Sequence, residues 1–123
     1  MKFLFLSLVL LFTRAAFGSF PGDEEYTVAA DEFPSPIGGM AAIGKYIVYP
    51  AMAVQNRTEG KVYLLAYINE NGNVDDVKLV KGIGAGCDEV AITAVKKTKF
   101  TPGKVKGVSV KTKLTLPISF KLK

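Results

Sequence analysis

The last sixteen residues of the chain, "VSVKTKLTLPISFKLK" (Val108 to Lys123), predict a β-strand. Apolar side chains fill the even positions from 108 to 122 with Thr112 as the one exception, while the odd positions carry serine, threonine, lysine and one proline. This period of two is typical of a strand with one buried face. Pro117 lies inside the run, and because proline has no N–H to donate, it indicates a strand at the edge of its sheet.

The preceding segments predict the strands and helices that complete this sheet. "GKVYLLAYIN" (60–69) is apolar on both faces, and the Asn-Gly of "ENGN" favours a hairpin into a second strand over 74–83. A helix follows within 84–100, with Asp88 and Glu89 at its start and lysines near its end. Two shorter helices are predicted upstream, within 38–48 and 51–57.

The order of these elements predicts the topology of the sheet. The hairpin makes the first strand antiparallel to the second, whereas a strand–helix–strand crossover makes the second and the last strand parallel. Both conditions hold if the first strand lies between the other two. We therefore predict an α+β fold with a mainly antiparallel three-stranded sheet of order 2-1-3, whose last strand forms an edge.

The N-terminal part of the chain divides into two segments before the folded domain. Residues 1–18 are typical of a cleaved secretory signal peptide, with Lys2, a short apolar run and the small residues of "AFG" at the cleavage point. Residues 19–36 are acidic, contain prolines and lack periodicity, so we expect a flexible lead-in. Residues 37–123 then form the domain, and we expect an exported protein.

The charges are mild in total but unevenly distributed. Without Lys2 and Arg14, 14 basic residues remain against 11 acidic ones, a net charge of +3 that indicates neither nucleic acid nor a membrane surface as partner. Nine lysines and no acid follow Val95, whereas residues 19–36 hold five acids and no base. The acidic lead-in is therefore an internal candidate for contact with the lysine-rich last strand.

The residue types disfavour an enzyme. The chain has no histidine and one cysteine, Cys87, so zinc, haem and triad sites lack their usual residues and no intrachain disulfide forms. We expect Cys87 to be buried, beside two acids that raise a thiol pKa. "GIGAGC" (82–87) lacks the third glycine of a dinucleotide loop and indicates a tight turn. We predict no catalytic residue, metal, cofactor or small-molecule substrate, and a small thiol enzyme using Cys87 is the rival hypothesis.

Five motifs in order resemble the C-terminal domain of the TonB energy transducers, over roughly residues 36–121. They are "GG" (38–39), "YP" (49–50), "EGKVYLLAYINENGNVDDVKLVKGIG" (59–84), "CDEVAITAVKKTKFTPGK" (87–104) and "KLTLPISF" (113–120). The resemblance implies two helices on one face of the sheet and a non-enzymatic periplasmic domain. It also implies that an extended peptide of an outer-membrane transporter, or of another envelope protein, adds to the edge strand.

The resemblance and the edge-strand prediction together name the candidate partner-binding residues. Transducers often carry a glutamine shortly after the Tyr-Pro motif that contacts the transporter peptide, and Val54 takes that place here, with Gln55 beside it. The lysines of the last strand favour an acidic peptide. The candidates are Val108, Val110, Lys111, Thr112, Lys113, Leu114, Thr115, Leu116, Val54 and Gln55.

Two further hypotheses concern how the domain works. A transducer uses a membrane anchor and a long proline-rich spacer, and since this chain shows no such spacer, we do not expect it to transduce energy alone. The alternative in the binding class is a self-associating module of the cell envelope. Two copies would then form a homodimer, through the last strand or through an apolar face made by Tyr63, Leu65 and Tyr67.

Overall fold

The computed structural model describes residues 22–122, and the predicted signal peptide (1–18) lies outside the described residues. A 3-10 turn, Asp23–Glu25, comes first. The helices are α1 (Met40–Gly44), α2 (Ala51–Gln55) and α3 (Cys87–Lys97). The strands are β1 (Gly60–Ile68), β2 (Val74–Lys81), β3 (Gly103–Val105), β4 (Val108–Val110) and β5 (Thr112–Phe120).

The main sheet has the order β2-β1-β5, with β1 antiparallel to both neighbours. The predicted α+β topology is therefore confirmed, with the doubly apolar strand at the centre and the proline-containing strand at an edge. The two pairings of β1 differ in regularity. All nine residues of β1 pair with β5 without a shift, whereas the register with β2 shifts after Tyr63 and after Tyr67.

The core lies between the sheet and the helices. The even-numbered side chains of β1 are fully buried, and those of β5 from Leu116 to Phe120 join them. Residues from all three helices, among them Ile43, Ala53 and Ala91, belong to the same apolar cluster, so the helices cover one face of the sheet. Thr112, the exception in the alternating pattern, is also buried there, and its hydroxyl donates to the carbonyl of Val110 (3.1 Å).

The loop that leads into α3 is the tight turn predicted from "GIGAGC". Gly84, Ala85 and Gly86 all have positive φ angles, which turn the chain sharply before the helix. The carboxylate of Asp88 accepts the backbone N–H of Ile83 at 2.8 Å and that of Gly84 at 3.3 Å. Asp88 therefore fixes the loop from within the first turn of the helix, and no phosphate site is needed to explain the glycines.

The last strand is shorter than predicted. Residues 108–110 do not extend β5 but pair with 103–105 in a separate two-stranded hairpin. Lys106 and Gly107 adopt positive φ angles at its tip, which suits a tight hairpin turn. The hairpin also needs a close approach, since a Cβ on Gly103 would lie 2.1 Å from Oγ1 of Thr112. The alternation in the sequence continues from β4 into β5 because apolar and polar residues alternate in both strands, so it did not indicate the break.

The described part of the acidic lead-in is in contact with the domain rather than free. Single β-bridges join Thr27 to Thr112, Glu32 to Lys104, and Pro36 to Phe100. The segment passes from the helix-free face of the sheet, along β3, to the start of α1. The charges indicated an attraction to the last strand, but bridges of one residue leave no periodicity from which this course could be predicted.

Two glycines provide a matched test of the fold. Gly72, in the β1–β2 turn, has φ +83°, and a Cβ there would lie 1.9 Å from the carbonyl oxygen of the buried Phe100. We expect Gly72→Ala to lower the free energy of unfolding by about 2–4 kcal/mol. Gly44, at the end of α1, has open space around it, so Gly44→Ala should raise it by about 0.5–1 kcal/mol. Urea unfolding measures both, and equal effects would contradict the close approach at Gly72.

Candidate functional site

The outer margin of β5 presents every second backbone unit to the side away from β1. The N–H of Lys113 donates to the carbonyl of Thr27, and the carbonyl of Lys111 accepts the N–H of Thr27, both at 3.0 Å. Because hydrogen bonding alternates along an antiparallel strand, the odd residues of β5 point outward and the even ones bond to β1. Pro117 is odd, so its missing N–H removes no bond between β1 and β5.

Most of the outward groups of β5 lack a partner. Within residues 22–122, no hydrogen bond is made by the N–H of Thr115 or of Ser119, nor by the carbonyls of 113, 115, 117 and 119. The row from 113 to 119 is about 20 Å long at 3.3 Å per residue. It has the length and spacing that a further strand of about six residues would use.

The opposite edge of the sheet is irregular. β2 leaves Asp75 and Val80 without a partner on β1, so it contains two bulges, and its sequence carries charges along its length. Bulges twist a strand and interrupt its ladder, which protects an edge against pairing. Of the two edges, β5 is therefore the one suited to accept another strand.

A groove runs beside the free part of β5 on the helix side of the sheet. It has a volume of about 400 Å³ and lies between α1 with the following loop and residues 117–119. Met40, Ile43 and Ile47 line it on the helix side, and Pro117 and Ile118 line it on the strand side. Sequence reasoning missed this groove, because the short helix carried no signal of which strand it would approach.

The lead-in covers the beginning of the same edge. The ammonium group of Lys111 lies 3.1 Å from the carboxylate of Glu25, and that of Lys113 lies 3.3 Å from the carboxylate of Asp23. With the two backbone bonds of Thr27, these ion pairs hold the lead-in at the first residues of β5.

The lead-in also covers part of the helix-free face. Tyr26 stands edge-on to Tyr67, with ring centroids 5.1 Å apart, and its hydroxyl donates to the bulged Asp75 at 2.5 Å. Tyr26 is 7% exposed and Tyr67 2%. Tyr63 and Leu65 are half-buried, so the predicted apolar face of Tyr63, Leu65 and Tyr67 is covered at its Tyr67 end.

The structure brings some of the predicted site residues together and separates others. Five of them, residues 112–116, are consecutive in β5, and Lys111 precedes the strand. Val108 and Val110 lie in the β3–β4 hairpin instead. Val54 and Gln55 are exposed on α2, and the side-chain amide of Gln55 makes no hydrogen bond to β5 within residues 22–122.

Odd and even positions of β5 differ in which groups they present to a partner. Thr112 and Leu116 turn their side chains to the core, whereas Lys113 and Thr115 present outward backbone groups. Ser119 and the carbonyl of Pro117 belong to the same free row and were missed. The odd–even rule that placed Pro117 at an edge was the signal that includes them.

Lys111 and Lys113 interact electrostatically with the acidic residues of the lead-in. A hydrogen bond with Tyr67 and the ammonium group of Lys113 hold the pKa of Asp23 below its usual range, against the opposing effect of burial. The carboxylate of Glu25 raises the pKa of Lys111. Burial raises the pKa of both Tyr26 and Tyr67. These groups therefore keep their ordinary charges at neutral pH.

We expect acid to loosen the lead-in. Since the folded-state pKa of Asp23 lies below the ordinary value of 3.8, the ionised carboxylate stabilises the contact above that pH, and the stabilisation is lost as pH falls through the folded-state pKa. The amide signals of Thr27 and Lys113 in NMR spectra should then shift towards those of an extended, unbound segment. In Asp23→Asn the part of the shift due to this carboxylate should be absent, and an unchanged profile would contradict its role.

Cys87 lies in the core and outside this edge. It is fully buried at the start of α3, as predicted. Burial raises the pKa of its thiol, and the charges of Asp88 and Glu89 raise it further, which disfavours a nucleophile. Within residues 22–122 no cluster of histidine, cysteine, aspartate or glutamate is arranged to hold a metal ion, and no helix is long and apolar enough to cross a membrane.

The burial of Cys87 predicts slow chemistry. Reaction of the folded protein with a thiol reagent should be at least about a hundredfold slower than in urea, because the thiol is reached only when the core opens. A reagent that releases a coloured thiolate when it reacts allows both rates to be measured by absorbance. Fast labelling of the folded chain would favour the thiol-enzyme rival.

Comparison with known proteins matches the folded domain to the TonB C-terminal domain family, which the sequence motifs also resemble. The family model described as "Gram-negative bacterial TonB protein C-terminal" matches residues 45–122. "Protein tonB2" of Pseudomonas aeruginosa is 32% identical over 75 residues, which are 60% of this chain and 28% of that relative. The chain thus spans little more than a quarter of that relative's length.

Solved structures agree in fold. The solution structure of the Helicobacter pylori TonB C-terminal domain (residues 194–285 of that protein) is 31% identical with a TM-score of 0.55, covering 68% of this chain and 88% of that one. The domain from Pseudomonas aeruginosa TonB is 26% identical with a TM-score of 0.53, covering 79% and 94%. Because the family model matches residues 45–122, which are more than half of the chain, this chain belongs to the TonB C-terminal domain family.

Proposed function

We propose that this domain binds an extended peptide of an outer-membrane transporter, or of another envelope protein, by strand addition along the outer edge of β5. The domain would work in the periplasm, in TonB-linked transport across the envelope, without enzymatic activity. The observation that carries the proposal is the row of unpartnered backbone groups from 113 to 119, on a strand that pairs with β1 without a shift. Family membership supports the transport role.

The free groups of β5 account for a moderate affinity. Six outward donors and acceptors are free, and each hydrogen bond contributes about 0.5–1.5 kcal/mol net. Ordering a flexible peptide offsets part of that gain. We therefore expect a dissociation constant in about the micromolar range or weaker.

Side chains of the peptide would supply the selectivity. Successive residues of an added strand point to opposite faces of the sheet. On the helix side they meet the apolar groove beside Met40, Ile43 and Ile47, and on the other side they meet the lysines at the start of β5. A segment with apolar residues on one face and a carboxylate towards the end that reaches Lys113 fits both.

A proline substitution tests strand addition directly. The N–H of Thr115 points away from β1, so Thr115→Pro removes a donor for the guest strand while leaving the β1–β5 ladder intact, as Pro117 already does. We expect affinity to fall about three- to tenfold or more, from the lost bond and from ring contact with the guest. Calorimetry would use synthetic peptides of the periplasmic segments of outer-membrane transporters encoded in the same genome.

The matched control is Thr115→Val, which keeps the N–H and should bind like the wild type. Circular dichroism and thermal unfolding establish that the Thr115→Pro variant keeps its fold. Equal binding by the proline and valine variants would rule out this edge as the binding strand. Sedimentation of the unliganded protein examines the homodimer alternative, since pairing through the same edge would make the mass depend on concentration.

A further inference from the structure

We propose that residues 23–27 are an internal ligand of the β5 edge, which a peptide must displace in order to use the whole strand. The inference rests on the proposed function for its biological meaning, but the contact itself is a property of this chain. It names a regulatory contact at the binding edge and the chemistry of the partner segment that replaces it.

The internal contact uses the same backbone groups that a guest strand would use. Among the outward N–H groups of β5, those of Lys113, Thr115 and Ser119 are available as donors, because Pro117 has none. Thr27 already accepts the first of these, and its own N–H donates to the carbonyl of Lys111. The lead-in runs parallel to β5 at this bridge and leaves the edge after one residue. The remainder of the row stays open.

The side chains give the internal contact its selectivity. Asp23 pairs with Lys113 and Glu25 pairs with Lys111, which are the two ion pairs found within residues 22–122. Tyr26 packs edge-on against Tyr67 and is the one residue of 23–27 that is buried. The two carboxylates thus neutralise two lysines at the start of β5.

The contact can be released without unfolding the domain. More than half of the Glu25 side chain stays in solvent, and such a surface ion pair is weak and screened by salt. The pair of Asp23 with Lys113 is more buried, with side-chain exposures of 17% and 23%, and holds the segment more firmly. No residue of 22–36 belongs to the main apolar core cluster, which begins at Ile43. Releasing residues 23–27 therefore exposes Tyr26 and Tyr67 without opening the core.

Displacement also specifies the partner. A peptide that occupies only 115–119 leaves the lead-in in place, whereas one that extends to Lys113 must break the Thr27 bridge and restore the charge balance of two lysines. The segment that replaces residues 23–27 therefore has acidic residues at the end that reaches Lys111 and Lys113. A neutral or basic segment at that end would compete poorly.

The experiment uses the mature full chain and two charge-matched variants. Asp23→Asn/Glu25→Gln removes both ion pairs, while Glu24→Gln/Glu32→Gln removes the same charge from lead-in acids that form no ion pair within residues 22–122. Hydrogen exchange of the Lys113 amide reports release of Thr27, because that N–H has no other partner. The amide of Leu114, which faces β1, is the internal reference.

In the first variant we expect the Lys113 amide to exchange about three- to tenfold faster at low salt, with Leu114 unchanged and the second variant like the wild type. A fluorescein-labelled peptide of residues 22–32, added in trans, should bind the first variant about three- to tenfold more tightly than the wild type. Both differences should shrink in high salt.

Equal Lys113 exchange in all three proteins would overturn the proposal, as would faster exchange without any gain in binding of the added peptide. Neither readout involves a transporter peptide. A failure of the proposed function would instead be seen as absent transporter-peptide binding in the wild type and in the first variant, with the exchange result unaffected.

Discussion

The unshifted pairing of β1 with β5 is the constraint on which the rest of the structure depends. Nine residues of each strand pair in sequence, so a single parity assigns the direction of every side chain and every backbone group of β5. Even residues complete the core, and odd residues turn their N–H and carbonyl groups to the outside. The pairing of β1 with β2 contains bulges, so side chains do not alternate regularly along β2. One bulge directs Asp75 towards the hydroxyl of Tyr26.

The parts of the fold that follow from local pattern could be predicted from the sequence. Alternation from Leu114 to Phe120, two apolar faces at 60–68 and the Asn-Gly turn were enough to give strand order, directions and the buried face. Pro117 indicated the edge because proline restricts where a strand can lie. The burial of Cys87 and the tight turn before α3 also followed from residue type and spacing.

The rest depended on contacts between distant residues. Alternation continues across Lys111, so nothing local showed that 108–110 would fold onto 103–105, or that Gly103 would approach Thr112. The groove beside 117–119 arises from where α1 comes to lie, and the course of the lead-in arises from one-residue bridges and two ion pairs. Charge complementarity indicated the attraction but neither its register nor the burial of Tyr26.

Pro117 has an effect beyond marking the margin of the sheet. Without it, the outward donors would recur every second residue, and a visiting chain that slipped by two residues would meet the same array again. With it, the spacing is uneven: donors at 113 and 115, a gap, then one at 119. A slipped chain would turn a different carbonyl towards the gap. Because main-chain carbonyls are alike, every alignment would lose the same hydrogen bond at Pro117, so the ring weakens the attachment of any visiting chain and leaves the choice of alignment to the side chains.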